Sequence, residues 1–149
     1  MKKLNLLRRF LLVLIVISIA GMVGNIGTKY FSHSNYSPTN FQFWLSIVAN
    51  ILFYIGLYYA HLGFTIIKKQ NSFTNKSNFY FNKSALLLIV SSITHTLLIT
   101  LNYSTTSKEV SAISLAFYFL VIILGLFIYA ISDIVQLGRG YQEENELTI

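Results

Sequence analysis

Three ionisable side chains lie within or at the edge of long apolar segments of this chain. His61 and His95 each lie inside an apolar run, and Asp133 lies close to the end of another. An ionisable group inside a membrane span is costly and is therefore a candidate functional residue. Two imidazoles and a carboxylate could form a metal site or a proton pathway, provided that the helices carrying them face one another.

No local motif supports a metal site or a catalytic centre at these residues. A zinc site needs three or four ligands in fixed geometry, and neither H-E-x-x-H nor a nucleophile motif such as G-x-S-x-G occurs. Cysteine is absent, which excludes thiolate chemistry. We therefore expect no metal, no cofactor and no enzymatic activity. Hydrogen bonding between helices is the simpler interpretation of both histidines, with a proton relay as the alternative.

Four long apolar runs would have to position these side chains. They cover residues 10–27, 44–67, 85–102 and 112–135, and a helix of such length crosses a hydrocarbon core of about 30 Å. Hydrophobic residues make up 54% of the chain. Charged residues make up only 11%, which is far below the share of about 25% in soluble domains. The sequence predicts an all-α polytopic membrane protein, a single domain over residues 1–149 built as a four-transmembrane-helix bundle in the lipid bilayer.

The positive charges predict the orientation of these spans. Nine of the eleven lysines and arginines lie before the first run, between the second and third, or after the fourth. The positive-inside rule therefore places both termini, the loop 68–84 and the tail 136–149 in the cytoplasm. The net charge of +6 follows from this topology, so we expect no direct binding of nucleic acid.

Two features of the spans have alternative interpretations. The basic start and first apolar run resemble a signal peptide, but the run is longer than the usual apolar segment of about 7–15 residues, so we favour a retained span. Gly56 and Gly63 lie seven residues apart on one face of the second run. Small residues of this kind allow close helix packing, either within the bundle or between two copies of the chain.

The predicted cytoplasmic loop has the pattern of a short interfacial helix. Thr74 or Ser72 could cap its start, and Phe73 could pack back on it as a hydrophobic staple. One face carries aromatic residues and the other carries lysine and asparagine, a pattern typical of helices in the headgroup plane.

The tail after the fourth run changes the sign of the charge. Gly138 and Gly140 are expected to end the fourth helix, and three glutamates follow them. An acidic end is often solvated, but Leu147 and Ile149 are unusual in a free tail. The alternative is a segment that docks on a partner.

Both cytoplasmic segments resemble the bacterial membrane family called domain of unknown function 2975. In the loop, Phe73 and Thr74 match a family pattern, whereas Ser72 replaces its proline and its glycine is missing. Asn78 of the same segment is a further candidate binding residue. The tail matches a typical closing motif at six positions: Gln142, Glu143, Glu144, Asn145, Leu147 and Thr148. Members of this family are often encoded beside a small helix-turn-helix regulator. The resemblance therefore implies a bacterial cell-membrane protein with a cytoplasmic regulatory partner.

These observations leave competing functional hypotheses. We favour a regulatory or interaction protein that presents the loop and the tail, at the nine residues just named, to a soluble partner such as a small transcription regulator. The alternative is a small transporter, channel or bacteriocin-immunity-type protein that uses His61, His95 and Asp133. A membrane-embedded enzyme would require an acid–base pair, for which the two histidines are the best residues and would have to lie close together.

Overall fold

Four long helices account for nearly all of the residues that the computed structural model describes, which are 2–31, 41–70, 73–101 and 108–147. The helices are α1 (Lys2–Phe31), α2 (Phe41–Gln70), α3 (Asn75–Leu101) and α4 (Lys108–Leu147). Within the described residues, three helical segments are long and apolar enough to cross a membrane: Phe41–Gln70, Asn75–Leu101 and Ala112–Asn145. The described part of the chain is thus built from helices, as the sequence predicts, and three of them have the length and composition of membrane spans.

The helices pack mainly on their neighbours in sequence. α3 lies between α2 and α4 and packs closely on both, and α1 packs beside α2. A continuous core runs through all four helices, from Leu11 on α1 through Leu57 and Leu88 to Val135 on α4. α3 is therefore the central helix, and the other helices are positioned relative to it.

Small residues form the contact between α2 and α3. A Cβ atom added at Gly63 would lie 2.8 Å from Cε1 of Phe81, and one at Gly56 would lie 3.0 Å from Cγ of Leu88. These distances are too short for a side chain, so both glycines permit close approach of the helix backbones. The structure uses this pair of glycines inside the chain, which is the first of the two interpretations given above.

A stripe of serines on α3 lies in the interior of the protein. Ser77, Ser84 and Ser91 are spaced seven residues apart and are at most 1% exposed. Ser91 Oγ donates a hydrogen bond of 2.8 Å to the carbonyl oxygen of Ala49 on α2. A seven-residue repeat keeps one face of a helix against its partner along the whole contact. The repeat therefore fixes the antiparallel register of α2 and α3.

The contact between α3 and α4 also depends on a glycine. A Cβ atom at Gly125 would lie 2.7 Å from Cγ1 of Ile89 and 3.3 Å from the carbonyl oxygen of Ala85. The opposite faces of both helices carry exposed apolar side chains, among them Leu97 on α3 and Phe127 on α4. Those faces are suited to contact with lipid rather than with water.

The predicted interfacial helix is not separate from the third span. α3 begins at Asn75 and continues to Leu101, so the residues assigned to that helix form its first turns. The segment contains neither glycine nor proline, and its buried positions Ser77, Phe81, Ser84 and Leu88 continue the stripe of the span. A helix whose packing face is uninterrupted has no reason to break there. α2 ends at Gln70 and α3 begins at Asn75, so the connection between them is shorter than the predicted loop over residues 68–84.

The fourth helix also extends beyond its predicted end. α4 passes through Gly138 and Gly140 and continues to Leu147, so the prediction that these glycines end the helix is wrong. Glycine is weak in a helix interior but does not force a break. Most of the predicted tail is consequently an extension of α4.

Candidate functional site

The start of α3 is fixed by a reciprocal pair of hydrogen bonds. The backbone N–H of Ser77 donates to Thr74 Oγ1 at 3.2 Å, and the backbone N–H of Thr74 donates to Ser77 Oγ at 3.2 Å. The Asn78 N–H donates to the Thr74 carbonyl oxygen at 3.1 Å. This arrangement satisfies amide groups that a helix start otherwise leaves without a partner. Of the two predicted caps, Thr74 is confirmed, whereas Ser72 lies outside the described residues.

The residue before this cap packs on α4. A Cβ atom at Gly138 would lie 2.6 Å from Cδ2 of Phe73 and 2.8 Å from its Cε2. The Phe73 ring therefore occupies the space above the glycine, and the half-buried Phe73 packs against the hydrophobic core cluster. Phe73 is predicted to pack back on its own helix, and the close contact that the structure shows for its ring is with Gly138 on α4.

Two polar contacts complete this meeting of helices. The backbone N–H of Phe73 donates to Gln142 Oε1 at 3.2 Å. Ser132 precedes Gln142 on α4 and is fully buried. Its Oγ contacts the side-chain oxygen of Asn78 and donates to the backbone carbonyl oxygen of Asn78 at 3.3 Å. We call this region the α3–α4 junction. Its residues are Phe73, Thr74, Ser77 and Asn78 with Ser132, Gly138 and Gln142.

The remaining tail residues project from α4. Glu143 pairs with Arg139 one turn earlier, with Oε1 and Nε 2.7 Å apart. Glu144 and Asn145 are exposed on the same helix, and Leu147 is 87% exposed. Thr148 lies outside the described residues. A helical tail places Arg139 within reach of Glu143, because residues four apart on a helix are neighbours.

The α3–α4 junction thus joins some predicted residues and leaves others apart. Phe73, Thr74, Asn78 and Gln142 meet at it, whereas Glu143, Glu144 and Asn145 form the surface beside it. The sequence analysis missed Ser132, and Gly138 was interpreted as a helix end. Gly138 and Gln142 lie four residues apart on one helical face. The sequence indicates that Gly138 and Gln142 share a face only when α4 is taken to continue as a helix through Gly138 and Gly140.

The candidate residues within the membrane segments do not form one centre. His95 is buried and stacks on Tyr118 of α4, with ring centroids 4.5 Å apart. His61 lies on α2, where Thr65 Oγ1 is 3.5 Å from its Nε2. Asp133 is exposed on α4. In the part of the chain that the structure describes, no group of three histidine or acidic residues could hold a metal ion.

The helix register separates the two histidines along the bundle. Gly63 packs on Phe81, so His61 lies near the level of residue 83 on α3. His95 lies 12 residues further along α3, which is ~18 Å at the helical rise per residue. General acid–base catalysis needs groups within hydrogen-bond distance of one proton. The two histidines therefore cannot serve as the acid–base pair of one catalytic centre, and their role in transport stays a prediction.

Comparisons with known proteins give one match. A family model described as "Protein of unknown function (DUF2975)" matches residues 28–149. The matched region contains α2, α3, α4 and every residue of the α3–α4 junction. No curated protein and no solved structure matches the chain significantly.

Proposed function

The chain belongs to the DUF2975 family of proteins of unknown function, and on that basis we propose that it is a regulatory membrane protein that binds a soluble cytoplasmic partner. The proposed binding surface is the α3–α4 junction together with the projecting end of α4. The partner that the family resemblance suggests is a small helix-turn-helix transcription regulator.

The proposed orientation follows from length and charge. In this proposal α1 is a fourth span in a bacterial cell membrane, and both termini lie in the cytoplasm. Lys68 and Lys69 lie in the last turn of α2, and Lys76 lies in the first turn of α3. Positive residues are therefore concentrated at the end of the bundle that carries the junction. Basic residues of short loops remain on the cytoplasmic side. The junction would therefore face the cytoplasm.

The length of α4 supports a projecting surface. Its 40 residues span ~60 Å, whereas the hydrocarbon core is ~30 Å thick. The helix is long enough to cross the bilayer and to extend well beyond it. Leu137 and Tyr141 are 64% and 66% exposed near its end, beside the charged pair of Arg139 and Glu143. Exposed apolar side chains rimmed by polar residues are typical of protein-binding surfaces.

The docking of Phe73 on Gly138 is the observation that carries the proposal. An acidic tail that is merely solvated would need neither a glycine under an aromatic ring nor a side chain that binds the backbone of another segment. Phe73 and Gln142 hold the loop before α3 against the end of α4, so the two family-typical segments form one surface. A partner would then contact both segments at once.

Deletion of residues 142–149 tests the proposal. The truncated chain should still insert into the membrane, because the apolar part of α4 is retained. Co-purification of the regulator encoded next to the gene should fall at least about tenfold, since a tenfold change corresponds to ~1.4 kcal/mol of binding free energy. Unchanged co-purification with the truncated chain would contradict the proposal.

A further inference from the structure

A second polar cluster lies where the beginning of α1 packs on the end of α2. Leu11 on α1 is 5% exposed and belongs to the core, and Arg8 precedes it by one turn on the same face. On α2, Thr65 Oγ1 donates a 2.8 Å hydrogen bond to the carbonyl oxygen of His61. Arg8 lies close enough to act electrostatically on the His61 ring. We call Asn5, Arg8, His61 and Thr65 the α1–α2 polar cluster.

Three side-chain atoms of this cluster lack a partner inside the protein. Asn5 Oδ1, Arg8 Nε and His61 Nδ1 are buried, and none of them has a hydrogen-bond partner among the residues that the structure describes. A buried polar group without a partner is costly, and a charged one more so. Arg8 and His61 therefore have hydrogen-bonding capacity at this helix contact that the described residues do not use.

Arg8 forms no ion pair with an acidic residue in the part of the chain that the structure describes. All five acidic residues of the chain lie between positions 109 and 146, so α1, α2 and α3 contain none. The same end of α1 and α2 carries five further cations: Lys2, Lys3, Arg9, Lys68 and Lys69. Half-buried Lys68 follows His61 by two helical turns and therefore lies on the same side of α2. An external anion would balance this excess of positive charge.

We propose that the α1–α2 polar cluster binds a phosphate ester at the cytoplasmic border of the membrane, with Arg8 as its main ligand. A guanidinium offers several N–H donors in a planar fork that matches phosphate oxygens. His61 adds a ring N–H, and Lys68 adds charge. Basic pockets between helices at the cytoplasmic side are known to bind anionic headgroups. The inference uses the orientation given under Proposed function but does not depend on a soluble partner.

The test uses the full chain in detergent and three probes. They are a short-chain phosphatidylglycerol, the diacylglycerol with the same acyl chains, and inorganic phosphate. Arg8→Gln should raise the dissociation constant for phosphatidylglycerol by about tenfold, because a charged hydrogen-bond donor is lost. Arg9→Gln is the matched control, since Arg9 is exposed and its substitution removes the same charge. It should change binding less than about twofold, as expected for an exposed charge.

The probes also identify the source of the phosphate. Binding of phosphatidylglycerol but not of inorganic phosphate would assign a lipid headgroup, and equally tight, Arg8-dependent binding of both would assign free phosphate.

Equal weakening by Arg8→Gln and Arg9→Gln would overturn the proposal, as would Arg8-independent binding. Arg8→Lys, which keeps the charge but not the fork, should weaken binding by about threefold and covers the case in which Arg8→Gln fails to fold. Neither arginine variant should change co-purification of the regulator, so this test and the test of the proposed function fail independently.

Discussion

The ring of Phe73 lies in the space that a side chain on Gly138 would occupy, since a Cβ atom there would be 2.6 Å from the ring Cδ2 atom. This contact joins the residue before α3 to the extended part of α4. It explains why a glycine lies inside a helix at this point. The next glycine, Gly140, has nothing within 4 Å of its added Cβ atom. The two glycines of one short segment therefore have different roles, which makes them a matched pair for experiments.

Gly138→Ala should release Phe73 from α4, whereas Gly140→Ala should not. The new methyl group displaces the ring and with it the hydrogen bond from Phe73 to Gln142, worth about 0.5–1.5 kcal/mol. Amide exchange of Phe73, followed by mass spectrometry, should therefore accelerate by about twofold to tenfold. Gly140→Ala should leave that exchange unchanged and stabilise α4 by about 0.5–1 kcal/mol, because alanine favours a helix. Equal exchange in both variants would contradict the packing described.

Substitution of Gln142 tests the polar half of the same junction. Gln142→Ala removes the acceptor of the Phe73 N–H and should accelerate its amide exchange by about twofold to tenfold. Gln142→Glu keeps a side-chain oxygen at the same position and should preserve the protection. If the Phe73 amide exchanges at the same rate in both variants, its hydrogen bond to Gln142 does not hold the segment before α3 against α4.

The serine stripe of α3 offers a comparison between two buried hydroxyl groups. Ser91 donates to the Ala49 carbonyl oxygen, and Ser91→Ala should lower the free energy of unfolding by about 0.6–1.7 kcal/mol. The buried Ser84 hydroxyl has no hydrogen-bond partner within the described residues. Its removal in Ser84→Ala should therefore be neutral or stabilising by up to about 1 kcal/mol. Unfolding of both variants in detergent measures the difference, and a larger loss for Ser84→Ala would contradict it.

The close approach of α2 and α3 predicts coupling between Gly63 and Phe81. Gly63→Ala alone should destabilise the protein by about 1–3 kcal/mol, because its new methyl group meets the Phe81 ring. Phe81→Leu shortens that side chain and leaves space. The double variant should consequently be more stable than the sum of the single effects predicts, by about 0.5 kcal/mol or more. Strict additivity would mean that the two residues do not meet.

Local signals in the sequence predicted the membrane class and the cap at Thr74. Long apolar runs and a cap-forming threonine just before a helical segment depend only on neighbouring residues, so they could be interpreted without knowing the fold. The heptad spacing of Ser77, Ser84 and Ser91 is also local, and it would have indicated a continuous third helix. The match of the chain to its family model also follows from residue patterns of this kind.

The parts that the sequence analysis missed depend on contacts between distant segments. Gly138 has the position of a helix end, and only the arrival of Phe73 from 65 residues earlier gives it a packing role. Glu143 pairs with Arg139 one turn away only because α4 continues as a helix through the two glycines. The separation of His61 from His95 likewise follows from the register of α2 and α3, which no single segment determines.

Photo-crosslinking at Tyr141 tests the central claim, that the α3–α4 junction and the end of α4 bind a soluble partner. A photoreactive amino acid at Tyr141, 66% exposed, should crosslink the proposed soluble partner in cells. The matched control is Phe127, 64% exposed on the same helix within the apolar span, which should crosslink no soluble protein. The Tyr141 crosslink should persist in Gly140→Ala and be lost in Gly138→Ala. Absence of a protein crosslink at Tyr141, or its persistence in Gly138→Ala, would contradict the account.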